Sequence, residues 1–225
     1  MREELVEKIR NYFRKKGFSQ SVVGLSGGID SSVVCFLLAE ALGNKNVFAY
    51  SLPYFREDPD VKKVVEATGV NFQRRSIKKP VDVICEVLGV DTNKDKGNVM
   101  ARVRMIFLYY FARKHKALVA GTGNKTEYLL GYFTKHGDIA CDFLPIGGLY
   151  KTQVYELAKE LNKRHEIYIF CREEGFSEKA FAERDEKYDG LKIRRIYYNL
   201  RGWKANPFHL FVSTFKNGLI ERSFG

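Results

Sequence analysis

One short segment, SGGIDSS at residues 26–32, constrains this chain more than any other feature. The apolar run before it, residues 21–25, is typical of a buried strand, and the apolar run after it, residues 31–39, is typical of a buried helix. A strand that passes through a glycine turn into a helix is the opening unit of a parallel sheet, because parallel strands need a crossover between them. The segment therefore predicts an α/β fold.

The same alternation of strands and helices continues along the first two thirds of the chain. Further strands are predicted over residues 46–52, 70–77 and 117–120, and helices over residues 3–16, 59–68, 80–89, 98–114 and 151–161. This order indicates a doubly wound parallel sheet with flanking helices on both faces. We expect one domain over residues 1–161, followed at residues 162–225 by a divergent segment without clean periodicity.

Composition excludes several classes of protein. The 225 residues are 45% hydrophobic and 29% charged, which excludes a disordered or collagen-like chain. Four widely spaced cysteines without a C-x-x-C pair predict free thiols, as in a reducing compartment. Because no apolar run approaches a membrane span and no signal peptide is evident, we expect a soluble cytoplasmic protein with no membrane partner.

The excess of basic over acidic residues is compatible with several kinds of partner. The chain has 38 Lys and Arg against 27 Asp and Glu, a formal charge of +11. Such a charge is compatible with nucleic acid, with a polyanionic small molecule or with a solvated basic surface. Charge alone does not choose among these alternatives.

The chemistry of residues 26–32 favours a phosphate ligand. Glycines let backbone N–H groups approach phosphate oxygens, and the start of the following helix adds partial positive charge. Bare phosphates would repel Asp30, so this carboxylate indicates a divalent cation, Mg²⁺, between it and a nucleotide. A plain glycine turn with a Ser- or Asp-capped helix is the structural alternative.

The segment lacks the lysine of the G-x-x-x-x-G-K-[ST] loop and the third glycine of G-x-G-x-x-G, and it resembles the PP-loop of ATP pyrophosphatases. Three further stretches are similar to the ammonia-dependent NAD synthetases: GNVMARVRM at residues 97–105, GTGNKTEYLLGYFTKHGD at 121–138, and LPIGGLYKTQV at 144–154. The resemblance covers residues 1–161 and implies the adenine nucleotide α-hydrolase-like form of the doubly wound sheet.

The resemblance also implies an activity. Members of that family use ATP to adenylate the nicotinate carboxylate of deamido-NAD, and ammonia then attacks the acyl adenylate to give NAD and AMP. It implies a ligase with deamido-NAD, ATP and ammonia as substrates, Mg²⁺ as metal, a cytoplasmic location and a homodimer with deamido-NAD near the interface. A nucleic-acid partner is not expected.

Site residues follow from the resemblance position by position. The ATP-binding set is Gly24, Leu25, Ser26, Gly27, Gly28, Ile29, Asp30, Ser31, Thr122 and Lys151. Asp30 and Glu127 are implied as magnesium ligands, and Asp30 and Lys151 as catalytic. Deamido-NAD contacts are implied for Arg102, Lys135 and Asp142, and residues 51–54 resemble the adenine-side loop. Read in isolation, Glu127 is typical of a surface acid, Thr122 of an N-cap and Lys151 of a solvated helix lysine.

The chain departs from the family after residue 161. Family members continue with a Lys-Pro-Ser/Thr-Ala loop and a Gly-Gln-x-Asp-Glu segment, and they end near a His-Lys pair; residues 172–177 and 184–186 echo these only faintly. Such a segment acts as a lid that excludes water from the acyl adenylate. Two explanations stay open, a divergent lid or a disrupted coding sequence with an impaired product.

Two other functions are therefore kept as alternatives. One is a PP-loop enzyme that modifies tRNA, which the basic charge would suit, although no catalytic Cys pair or added RNA-binding domain supports it. The other is an ATP-binding protein whose catalysis is impaired because the lid is lost.

Overall fold

The computed structural model describes residues 1–56, 58–165 and 220–221, and its strands form one sheet. The strands are β1 (Ser21–Gly24), β2 (Val47–Ser51), β3 (Asn71–Arg74), β4 (Leu118–Ala120), β5 (Phe143–Leu144) and β6 (Ile220–Glu221). Their spatial order is β3-β2-β1-β4-β5-β6. The first five pair in parallel, whereas β6 pairs antiparallel with β5. This confirms the predicted doubly wound parallel sheet.

Seven α-helices lie in the described part of the chain. They are α1 (Arg2–Lys16), α2 (Ile29–Leu42), α3 (Asp60–Thr68), α4 (Lys78–Leu88), α5 (Asn93–His115), α6 (Lys125–Leu130) and α7 (Lys151–His165). In the described ranges no helix combines the length and the apolar character that crossing a bilayer requires.

Strand alternation divides the interior into two cores, one on each face of the sheet. Val22 packs into a cluster with α4 and α5, whereas the next residue, Val23, packs into a cluster with α1, α2, α3 and α7. Phe143 and Leu144 divide in the same way on β5. Successive strand residues point to opposite faces, so the central strands β1, β2, β4 and β5 supply both cores, whereas the edge strand β3 is largely polar and exposed.

Every strand and helix predicted within residues 1–161 is present, although the boundaries shift. The predicted strand at 70–77 is shorter, Asn71–Arg74, although Arg75 and Ile77 still donate their N–H groups to Ser51 and Pro53 before α4 begins at Lys78. The helix predicted over 151–161 runs to His165. Sequence analysis missed β5 and α6, which have two and six residues, too few for a periodicity to emerge.

Arg2 joins the far ends of the two helices that carry site residues at their starts. Its guanidinium is nearly buried and ion-pairs with Glu40 of α2 and, at 2.9 Å, with Glu160 of α7. A buried guanidinium with carboxylate partners fixes geometry more than it adds stability. The packed pair α2 and α7 is therefore tied at its C-terminal ends through α1.

We expect Phe143→Ala to lower the free energy of unfolding by about 3–5 kcal/mol, because a fully buried ring would leave a cavity. Phe143 is 0% exposed, and its ring centroid lies 5.1 Å from that of Phe13 and 5.1 Å from that of Tyr12. Urea denaturation measures the change. Phe55→Ala, at a side chain 80% exposed, is the matched control and should change stability by less than about 0.5 kcal/mol. Equal losses in the two variants would contradict the assignment of Phe143 to the core.

Candidate active site

A cavity of about 190 Å³ opens at the carboxyl ends of β1 and β4. These neighbouring strands lie where the order of the sheet reverses, which is where doubly wound sheets bind ligands. Ser26, Asp30 and Ser31 form one wall, and Thr122 and Glu127 form the other. Gly28 lines the cavity as well, so six of the sequence-predicted residues meet there.

Hydrogen bonds within the glycine loop shape the start of α2. Ser31 Oγ accepts from the N–H of Ser26 at 3.2 Å and donates to the carbonyl of Gly28 at 3.0 Å. Gly27 has φ +89°, and a Cβ there would lie 2.7 Å from Cβ of Asp58, so only glycine fits. The loop thus brings backbone N–H groups and a helix start together, the arrangement that binds phosphate.

Asp30 has two partners from distant parts of the chain. One carboxylate oxygen forms an ion pair with Nζ of Lys151, the first residue of α7. The other accepts a hydrogen bond from Nδ2 of Asn124 at 3.0 Å. Lys151 is 9% exposed and Asn124 is 0% exposed, so both contacts are shielded from water. Predicted ATP-binding residues separated by more than 100 positions are therefore in direct contact.

Glu127 is held at the start of α6 by a reciprocal capping box. Asn124 Oδ1 accepts from the N–H of Glu127, and Glu127 Oε2 accepts from the N–H of Asn124, both at 3.0 Å. Burial raises the pKa of the Glu127 carboxyl above its ordinary value, and the nearby charge of Asp30 adds to the rise, against the hydrogen bond from Asn124. A cation between Asp30 and Glu127 would stabilise the ionised form of both carboxylates.

Mg²⁺ fits this pair of carboxylates. Among the described residues no group of three or more His, Cys, Asp or Glu side chains could hold a metal. Magnesium is usually bound by one or two carboxylates together with substrate phosphates. Asp30 and Glu127 supply that donor set beside a phosphate loop, and both line the cavity.

The predicted deamido-NAD residues lie apart from this cluster. Arg102 on α5 and Lys135 in the loop after α6 are exposed. Asp142 is partly buried, and its Oδ2 accepts from the N–H of Val119 at 2.7 Å while its Oδ1 accepts from the hydroxyl of Tyr109 at 3.4 Å. Asp142 thus joins the segment before β5 to β4, outside the wall of the cavity.

Sequence reasoning missed several residues of the site. Asn124 contacts Asp30 and Glu127, and the hydroxyl of Thr126 accepts the N–H of Lys151 at 3.0 Å, which caps α7. The aromatic wall of the cavity was missed as well: Tyr128, Tyr132 and Phe133. The Asn-x-x-Glu spacing before α6 is the signature of a capping box and was the one available signal.

Comparison with known proteins identifies close relatives. The family model described as NAD synthase matches residues 1–170. The NH(3)-dependent NAD(+) synthetase of Fusobacterium nucleatum is 44% identical over 225 residues, covering 97% of this chain and 86% of that protein. The synthetase of the same name from Methanocaldococcus jannaschii is 45% identical, covering 87% of this chain and 81% of that protein.

A solved structure agrees with these relatives. The NH3-dependent NAD synthetase from Campylobacter jejuni superposes with a TM-score of 0.71 at 35% identity, covering 90% of this chain and 86% of that one. The likeness therefore extends to the three-dimensional arrangement of the sheet and its helices.

We expect Asp142→Asn to unfold at a urea concentration at least as high as the wild type does at pH 7. Burial raises the pKa of the Asp142 carboxyl, so its stabilising contribution is present in acid and is lost as the pH rises through that raised value. The amide oxygen of Asn still accepts from Val119, and the variant stays neutral. Its advantage should disappear below the ordinary Asp pKa of about 3.9, where the wild type is also protonated.

Urea midpoints measured from pH 3 to pH 8 test this expectation. The exposed Asp91→Asn is the matched control. A variant that loses stability relative to the wild type as the pH rises would show that the ionised Asp142 carboxylate stabilises the fold.

Proposed function

The chain belongs to the NAD synthase family, and from that membership we infer that it is an ammonia-dependent NAD synthetase, a ligase that forms a C–N bond. Its substrates are ATP, deamido-NAD and ammonia, and its products are NAD, AMP and pyrophosphate. The observation that carries this function is the convergence of Asp30 of α2 and Glu127 of α6 on one phosphate-loop cavity, with Lys151 of α7 ion-paired to Asp30.

The reaction has two steps. An oxygen of the nicotinate carboxylate attacks the α-phosphorus of ATP, the bond between the α-phosphorus and the bridging oxygen breaks, and pyrophosphate leaves. Ammonia then attacks the activated carbonyl carbon, the bond to AMP breaks, and the nitrogen loses a proton. Neither step requires a covalent bond to the protein, so alignment and stabilisation of phosphate charge are the main contributions of the chain.

Each part of the cavity has a role in this chemistry. The glycine loop from Gly24 to Ser31 and the hydroxyl of Thr122 hold ATP. Lys151 lies beside Asp30 at the start of α7, where its ammonium group can neutralise the charge of departing pyrophosphate. Asp30 and Glu127 would hold Mg²⁺, which when bound neutralises phosphate oxygens.

We assign deamido-NAD binding to Arg102, Lys135 and Asp142, as the family resemblance implies; the first two side chains are exposed and the third is partly buried. Arg102 carries the planar guanidinium that suits bidentate contact with a pyrophosphate or carboxylate, and Lys135 lies two residues after Phe133 of the cavity wall. On α5, Arg102 is followed at four-residue intervals by Ile106 and Tyr110, which are 56% and 63% exposed. The proposed substrate-binding arginine thus shares a helix stripe with exposed apolar side chains.

An exposed apolar surface supports the homodimer. Five large exposed apolar side chains lie on the packed helices α4 and α5: Val83, Val87, Leu88, Ile106 and Tyr110. Soluble monomers rarely expose large contiguous apolar patches, and such surfaces mark interfaces. A second copy covering these helices would place deamido-NAD, held by Arg102, close to the interface.

The free cysteines of the described residues support a cytoplasmic location. Cys35, Cys85 and Cys141 are buried, and each is a free thiol. Unbridged cysteines are typical of a reducing compartment. The interpretation of residues 162–225 as a divergent lid lies outside the described residues, apart from the end of α7 and β6.

We expect Lys151→Met to lower kcat by about 10²–10³-fold, because the variant keeps the aliphatic stem and loses the charge that stabilises the leaving group. Pyrophosphate release and NAD formation are measured with ATP, Mg²⁺, deamido-NAD and an ammonium salt. Asp30→Ala should abolish both. Lys8→Met, on α1 and ion-paired with Glu4, is the matched control and should keep the wild-type rate.

The same assay separates the alternatives. Wild-type protein that binds ATP without releasing pyrophosphate would contradict the ligase and favour an ATP-binding protein with impaired catalysis. Pyrophosphate release that depends on RNA in place of deamido-NAD would favour the tRNA-modifying enzyme.

We expect the wild type to sediment at twice its chain mass of 25.9 kDa and Ile106→Glu to sediment at 25.9 kDa. A carboxylate buried at an apolar interface without a partner is strongly unfavourable. Phe18→Glu, at a side chain 40% exposed just after α1, is the control and should leave the dimer intact. A wild type that sediments only at 25.9 kDa contradicts the homodimer.

A further inference from the structure

Asn124 has no assigned role in either step of the proposed reaction. Its side chain is 0% exposed and immediately precedes α6. Nδ2 donates to Asp30 Oδ1 at 3.0 Å, while Oδ1 accepts from the N–H of Glu127 at 3.0 Å. One buried amide thus contacts both of the carboxylate residues assigned to magnesium.

The chemistry of the two contacts requires an amide. The Asp30 carboxylate can only accept a hydrogen bond, and the N–H of Glu127 can only donate one, so a residue between them must donate and accept at once. This also fixes which end of the amide carries the oxygen. An acid at position 124 would add a third negative charge, and a hydroxyl side chain is too short to span both partners.

The two carboxylates need such a bridge because they repel each other. Asp30 lies on α2 and Glu127 on α6, and no backbone hydrogen bond joins these two helices in the described part of the chain. Lys151 offsets part of the Asp30 charge, and Asn124 adds a side chain that contacts both residues, which opposes their separation before a cation arrives. Groups that orient metal ligands in this way typically change metal affinity by about 10- to 100-fold.

We propose that Asn124 is a positioning residue of the magnesium site: its amide holds Asp30 at a fixed place relative to Glu127, so that both carboxylates are ready for the metal of the ATP complex. The proposal rests on the proposed function, since it takes Asp30 and Glu127 as the magnesium ligands.

Helix capping offers a purely structural explanation of Asn124, and two substitutions separate it from positioning. Ser and Thr cap helices nearly as well as Asn does. Asn124→Ser and Asn124→Thr therefore keep the cap on α6, stay neutral and lose only the donor to Asp30. If capping were the whole role, both variants would behave as the wild type.

The test measures the affinity of the full chain for ATP by titration calorimetry, once with Mg²⁺ and once with EDTA. For Asn124→Ser we expect the Kd for ATP with Mg²⁺ to rise by about 10- to 100-fold, while the Kd in EDTA stays within about twofold of the wild type. Asn124→Thr repeats the test with a larger side chain. Asn11→Ser, at an exposed position of α1, is the matched control and should change neither value.

Three results would overturn the proposal. They are an unchanged Kd with Mg²⁺, an equal loss of affinity with and without Mg²⁺, and failure of both variants to fold, which would make the amide a general determinant of stability. If the affinity of the wild type for ATP does not depend on Mg²⁺, the assignment of Asp30 and Glu127 as magnesium ligands is wrong. A wild type that responds to Mg²⁺ and releases pyrophosphate, beside variants that respond equally, would contradict the role of Asn124 alone.

Discussion

Repulsion between two partly buried carboxylates is the constraint around which this site is built. Asp30 and Glu127 approach each other in a partly dehydrated cavity, where like charges interact strongly. Lys151 and Asn124 compensate Asp30, and the capping box compensates Glu127. The polar groups of the cavity are therefore mutually dependent, because removing any one of them leaves a charge without its partner.

The fold brings these groups together through the starts of three helices. Asp30 lies in the first turn of α2, Glu127 in the first turn of α6, and Lys151 begins α7. The C-terminal ends of α2 and α7 are also restrained, since Arg2 ion-pairs with Glu40 of α2 and Glu160 of α7. Rigid elements restrained at both ends hold functional groups more accurately than loops do.

The sequence was sufficient for the fold and for half of the site. Long apolar periodic segments predicted the parallel sheet, and SGGIDSS predicted the phosphate loop, because both signals are local. The short elements α6 and β5 were not predicted, since segments of six and two residues are too short to show a hydrophobic period. The contact between Asn124 and Asp30 joins positions 94 apart, and no local pattern records such a pairing.

The family resemblance supplied site residues that local sequence patterns could not indicate. It assigned Glu127 and Lys151, which the fold does bring to Asp30. It also assigned Asp142 to deamido-NAD, a role that stays a prediction; in the fold its carboxylate accepts a hydrogen bond from Val119 of β4. Burial and hydrogen-bond partners bear on such roles, and neither can be read from a linear motif.

The close approach of Gly27 to Asp58 has a consequence for how relatives of this chain can vary. Asp58 lies two residues before the start of α3, and its Oδ1 accepts the N–H of Asp60, the first residue of that helix. The phosphate loop and the entrance to α3 therefore share one surface with no room for another atom. Insertions and deletions ahead of α3 would shift that surface, so length variation among active relatives should accumulate elsewhere, for example at the exposed turn between α4 and α5.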